Sequence, residues 1–134
     1  MRFLSFTHAG RPGWGVEVEG GVIDLSARKR ALFPTLREVI ENDRFIKLQE
    51  FAAGLPVDFR AGEFSYTIPV PAPEKIICVG VNFPDRNAEY KDGQEAPPNP
   101  SLFVRFPRSF TGHEQPLIRP PESHQLDYEG EVTL

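Results

Sequence analysis

Three groups of residues in this 134-residue sequence have the types and spacing to do chemistry. The first is Glu129-Gly130-Glu131. In an extended chain, residues i and i+2 point to one face, so the two carboxylates would stand about 7 Å apart at ~3.3 Å per residue. Like charges so placed repel, and a hard divalent cation such as Mg²⁺, Ca²⁺ or Mn²⁺, which takes oxygen ligands, removes that penalty. The pattern suits a solvated edge strand as well. The second group lies in the tract from Gly80 to Tyr90, where Asn82, Asp85, Arg86 and Glu89 come directly after an apolar run. Asp85 and Glu89, at i and i+4, would share one face of a helical turn, and the ends of strands are where folds place binding groups. A capped turn with a local charge cluster fits equally. The third is Arg105, followed by Arg108, Ser109 and His113. An arginine can clamp a substrate carboxylate bidentately, although a surface arginine fits too. His113 and His124 have no His or Cys partner at zinc spacing and read as ordinary polar residues.

The elements that must position these groups follow from the apolar periodicity. Arg2 to Phe6 and Trp14 to Val18 alternate as strands, with Thr7 to Gly13 as a turn-rich connection, and Gly20-Gly21 marks a hairpin turn into a third strand, Val22 to Leu25. Thr35 with Glu38 three residues on is a capping-box pattern that starts a helix at Leu36. Phe45, Leu48, Phe51 and Ala52 recur at helical spacing from Asp43, and Gly54 and Pro56 stop that helix. The alternating prolines of Ser65 to Pro73 remove backbone donors and predict an extended linker. Lys75 to Val81 reads as an apolar strand buried on both faces, with Cys78 buried inside it. Asp85 to Lys91 predicts a helical turn and Ala96 to Pro100 a rigid loop. Leu102 to Arg105, Pro116 to Ile118 and Glu129 to Leu134 predict further strands. The expected class is α+β, mainly β, with a small N-terminal meander and helix domain over 1–70 and a second unit over 71–134.

Composition narrows the function. A net charge of −4 with 15 scattered Lys and Arg offers no footprint for nucleic acid. No apolar run approaches the roughly 18 residues of a membrane span, and the lone cysteine points to a reduced compartment, so a soluble cytoplasmic protein is expected. Eleven of the 14 prolines lie at or beyond Pro69, so the two halves are built differently. Glu129 to Leu134 reads as a strand that stops without turn or cap, which suggests part of a longer protein.

The order of the motifs carries more than any one of them. Pro73-Glu-Lys-Ile-Ile-Cys-Val-Gly-Val-Asn-Phe-Pro-Asp-Arg-Asn-Ala-Glu-Tyr90, Pro100-Ser-Leu-Phe-Val-Arg105, Pro116-Leu-Ile-Arg-Pro120 and Leu126-Asp-Tyr-Glu-Gly-Glu-Val132 together resemble the fumarylacetoacetate hydrolase family over 73–134. Residues 1–70 resemble, more weakly, the small variable N-terminal domain of many bacterial members. The resemblance implies a mixed β-roll catalytic domain, a homodimer at full length, and a Mg²⁺ or Mn²⁺ cofactor. It also implies a small oxo-acid or β-diketo-acid substrate, processed by carbon–carbon hydrolysis, decarboxylation or isomerisation.

By the same resemblance, Glu129 and Glu131 fall on the first two metal ligands, and the third, an aspartate, lies beyond Leu134. Glu89 falls on a catalytic glutamate, whereas Arg86 stands where the family often has a histidine. Arginine is effectively always protonated and cannot take a proton from water. That leaves Asp85 or Glu89 as base and Arg86 to pair with Glu89 or hold a substrate carboxylate, which favours decarboxylation, isomerisation or lyase chemistry. Asn82, in the Gly-x-Asn turn, and Arg105, where a lysine is frequent, would face substrate. The alternative is a non-catalytic fragment or accessory module that keeps the scaffold without the full site. Two carboxylates rarely hold Mg²⁺ firmly, so the 134 residues by themselves are expected to show little catalysis.

Overall fold

Period-two alternation at the N-terminus builds a sheet. The computed structural model describes residues 1–80, 98–127, 130, 131 and 133. In it β1 (Arg2–His8), β2 (Arg11–Val18), β3 (Gly21–Asp24) and β4 (Ser65–Thr67) form a four-stranded antiparallel sheet in the order β3-β2-β1-β4. The first hairpin is tighter than its sequence suggests. His8 pairs with Arg11, and only Ala9 and Gly10 form the turn, both at positive φ (47° and 75°), as a two-residue hairpin requires. Most of Thr7 to Gly13 is therefore ladder rather than loop. Pro12 is tolerated there because β3 reaches only to the Gly15↔Asp24 pair, which leaves β2 an edge strand at Pro12.

Three short helices come next: α1 (Ser26–Lys29), α2 (Leu36–Glu41) and α3 (Phe45–Ala52). The capping box is present, with the Thr35 N–H donating to Glu38 Oε2 at 2.7 Å and the Arg37 N–H donating to Thr35 Oγ1 at 3.2 Å. Gly54, at φ 83°, lies just past the end of α3. The unforeseen α1 is capped by Asp24, whose Oδ1 accepts from the Ala27 N–H at 2.9 Å and the Ser26 hydroxyl at 2.6 Å.

Both faces of the sheet are covered. Trp14, Val16 and Ile23 pack against Leu36 and Val39 of α2 and Leu48 and Ala52 of α3. On the other face Leu4, Phe6 and Val22 meet Phe59 and Phe64 from the returning chain. Gly13 makes room for this second layer, since a Cβ there would lie 2.6 Å from the Phe6 ring. The return is pinned to β3 by Val22 N–H to Phe59 O at 2.8 Å and Phe59 N–H to Val22 O at 3.1 Å. The linker predicted from Ser65 gives its first three residues to β4, which pairs with β1.

The second sheet is an antiparallel ribbon of β5 (Ile77–Gly80) and β6 (Ser101–Val104), followed by a 3-10 turn at Pro107–Ser109. Its register sets Ile77 opposite Val104 and Val79 opposite Leu102, so four aliphatic side chains share one face. The expected burial of β5 on both faces does not hold: Ile77 is 60% and Val79 39% exposed. Cys78 is half-buried and free. Among the described residues β5 has one strand partner and no layer packed over it. Pro116 to Ile118 forms no strand, and Leu117 and Ile118 are exposed; Pro116 has no N–H to give a ladder. Gly130, Glu131 and Thr133 are not in a strand either. The turn expected at Asp85 to Lys91 lies outside the described residues. The described chain is mainly strand with three short helices, and none of these is long and apolar enough to cross a membrane.

Candidate functional site

In sequence, the Asn82–Glu89 tract follows β5 and Arg105 follows β6. Asn82, Asp85, Arg86 and Glu89 come after the Gly80 end of β5 and lie outside the described residues, as does Glu129. Arg105 comes directly after β6, and its N–H donates to Ile76 O at 3.1 Å, extending the ladder by one bond. Its guanidinium carbon sits 4.9 Å from the centre of the Phe103 ring, a cation–π contact on the face opposite the four aliphatic residues. Gly80 pairs with Ser101 and Ile77 with Val104, so the antiparallel register sets Arg105 at the far end of the ribbon from Gly80. At ~3.4 Å per residue that separation is roughly 13 Å along the strand. The ribbon therefore does not itself bring Arg105 to the start of the Asn82–Glu89 tract. Glu131 is exposed and makes no hydrogen bond or ion pair among the described residues. No group of three His, Cys, Asp or Glu stands together at metal-binding distance among the described residues. His113 packs edge-on against Tyr66, with ring centres 5.1 Å apart, and acts there as an aromatic neighbour.

The dense polar contacts lie instead in the first 74 residues, where sequence reasoning missed most of them. Arg28 grips Asp58 with two parallel bonds of 2.7 and 2.9 Å, and Asp58 also accepts from the Asp24 N–H at 2.8 Å. These bonds hold the Asp58 carboxyl below the usual carboxylate range and the Arg28 guanidinium above its own. The Tyr66 hydroxyl donates to Glu17 at 2.7 Å, which raises its pKa. The Thr35 hydroxyl lowers the Glu38 carboxyl, the electrostatic mark of the capping box. All of these groups are spent on one another, so the cluster braces the fold. Nothing in the sequence pairs residues 28 and 58, whereas Asp24 two residues before Ser26 was a legible capping signal.

Comparison with known proteins bears on the ribbon and on the residues beyond it. Residues 75–134 match the family model described as fumarylacetoacetate (FAA) hydrolase C-terminal. Over those residues the chain is similar to the fumarylacetoacetate hydrolase family. The chain is 33% identical over 141 residues to a protein of Rattus norvegicus named a mitochondrial oxaloacetate tautomerase, covering all of this chain and 44% of that protein. It is also 33% identical over 134 residues to a protein of Bacillus subtilis named an oxaloacetate tautomerase, covering 84% of this chain and 44% of that one. The crystal structure of a putative HpcE protein from Mycobacterium smegmatis shares the fold with a TM-score of 0.65 at 20% identity, over 90% of this chain and 41% of the other. The chain thus spans less than half the length of the curated relatives it matches.

Proposed function

We propose that this chain carries the N-terminal domain, over 1–70, and the start of the catalytic region, over 71–134, of a metal-dependent enzyme that interconverts the keto and enol forms of an oxaloacetate-like 2-oxo acid. One observation carries the reading: the whole chain aligns with a relative named an oxaloacetate tautomerase, and 84% of it with a second so named. The chemistry of this chain's residues supports it. Tautomerisation moves a proton between C3 and the oxygen on C2; it consumes no water and breaks no carbon–carbon bond. It needs one base and a means of holding the acid, but no histidine to activate water. Arg86, where the family often has histidine, suits that demand and not hydrolysis.

In this reading Glu89, or Asp85 four residues before it in the sequence, takes the C3 proton and returns it to oxygen. Arg86 holds one substrate carboxylate, Asn82 donates a hydrogen bond to the substrate, and Arg105 supplies a second cation. Glu129 and Glu131 hold Mg²⁺ or Mn²⁺ together with an aspartate beyond Leu134. Their all-oxygen donor set fits a hard cation, and the exposed Glu131 carboxylate is not spent on any described partner. When bound, the cation polarises the 2-oxo group as a Lewis acid and lowers the cost of removing the C3 proton. The enzyme is proposed to be a cytoplasmic homodimer acting on a small molecule, without nucleic-acid or membrane partners.

The test monitors the ultraviolet absorbance of enol-oxaloacetate with the polypeptide that carries this chain and any continuation of its reading frame. Mg²⁺ should accelerate ketonisation, Glu131→Gln should slow it at least about tenfold, and Glu89→Gln should abolish it while Mg²⁺ still binds. Turnover that ignores Mg²⁺ and both substitutions, or cleavage of the substrate's carbon chain, would overturn the assignment. Absence of turnover on any oxo-acid favours the non-catalytic module instead.

A further inference from the structure

Ile68-Pro-Val-Pro-Ala-Pro-Glu74 connects β4 to the chain entering β5. Prolines at 69, 71 and 73 have no N–H to give a ladder, and the segment lies in no strand. It is held by its acceptors. Ser5 Oγ donates to Pro69 O at 2.8 Å. Arg37, on α2, donates from Nη1 to Ala72 O at 3.2 Å and from Nη2 to Glu74 Oε1 at 2.8 Å, while its Nε bonds Glu41 at 2.7 Å. All three nitrogens of one guanidinium are thus engaged, two of them on the strap. Beneath lies a cleft of about 400 Å³, walled by Trp14 and Leu36 on one side and Pro69 and Pro71 on the other. Ser5, Arg30, Thr35 and Arg37 on its walls all donate to the protein's own oxygens.

We propose that residues 68–74 form a latched strap, with Arg37 as the latch and Ser5 as a second hold, and that this latch sets the direction in which β5 leaves the first sheet. Prolines stiffen the strap along its length, so fixing it at Pro69, Ala72 and Glu74 fixes its exit. Two residues past Glu74 the chain reaches Ile76, the last residue before β5. The latch is independent of which reaction the family site performs. A lysine at position 37 carries the charge but only a single ammonium, and it cannot hold Glu41, Ala72 O and Glu74 in one plane.

Backbone ¹⁵N relaxation of the full chain tests the latch. In the parent, order parameters of Val70, Ala72 and Glu74 should match those of the sheet, about 0.85. Arg37→Ala should drop them below about 0.6 while Leu4, Val16 and Ile23 stay rigid, with Arg37→Lys rescuing only in part. Acrylamide should also quench the sole tryptophan, Trp14, more strongly once the strap lifts. Unchanged order in the strap, or an equal loss across the sheet, would overturn the proposal. Should Arg37→Ala not fold, Glu74→Ala at a side chain 77% exposed asks the same question. It should loosen Glu74 and Lys75, and rigidity there would refute the latch.

Discussion

Val16 and Val104 are both valines in antiparallel strands, yet the first is fully buried and the second is 62% exposed. A small part of the difference is in the ladder, where Val16 pairs with both Phe3 and Ile23 and Val104 with Ile77. The larger part lies in the layer above. Val16 is covered by α2 and α3, whereas among the described residues nothing covers the aliphatic face of β5–β6. Pairing satisfies backbone polar groups, but only a second apolar layer removes side chains from water, and a two-stranded ribbon alone is marginal at best. The first sheet carries its own core. The ribbon supplies one face of a core.

A matched pair of substitutions tests this comparison with the largest expected effect. Val16→Ala should cost about 2 kcal/mol, from two lost methyls at ~0.8 kcal/mol each plus a cavity. Val104→Ala should cost less than about 0.5 kcal/mol, as exposed sites do. Urea unfolding followed by circular dichroism measures both. Equal costs would break the comparison.

How far the sequence foretold this structure also divides along the same line. The hairpin at Gly20-Gly21, the capping box at Thr35 and the stop at Gly54 were legible because each rests on local chemistry within a few residues. Burial of β5 was misread because an apolar run states that a strand wants covering, not what covers it. The Arg28–Asp58 pair and the Arg37 bonds to the strap were invisible, since 30 or more residues separate the partners. For the candidate site, motif order named the family. It could not show that Arg105 and Gly80 stand at opposite ends of one ribbon, because that depends on strand register.

The next effect concerns the brace of the first region. Arg28 and the Asp24 N–H hold the folded Asp58 carboxyl below its unfolded value. Its contribution is therefore complete above the unfolded carboxylate range, near pH 4, and is lost as pH falls through the lower folded value. Asp58→Asn should remove about 1 kcal/mol at pH 7 and flatten the acid limb of stability against pH, with little change in the ribbon. A parallel acid limb in both proteins would show that the pair contributes nothing.

The smallest effect on stability probes the ribbon from the other side. Leu102 is 67% exposed and shares its face with Ile77, Val79 and Val104, so in water this face is an apolar patch that a dye such as ANS should find. Leu102→Ser should leave the unfolding midpoint within about 0.5 kcal/mol of the parent, because little is unburied, while dye fluorescence falls as the patch is interrupted. The opposite result would sharpen the contrast with Val16. If Leu102→Ser destabilises the protein and the parent binds no dye, the face is already covered in solution, and Val104 has the second layer that α2 and α3 give Val16.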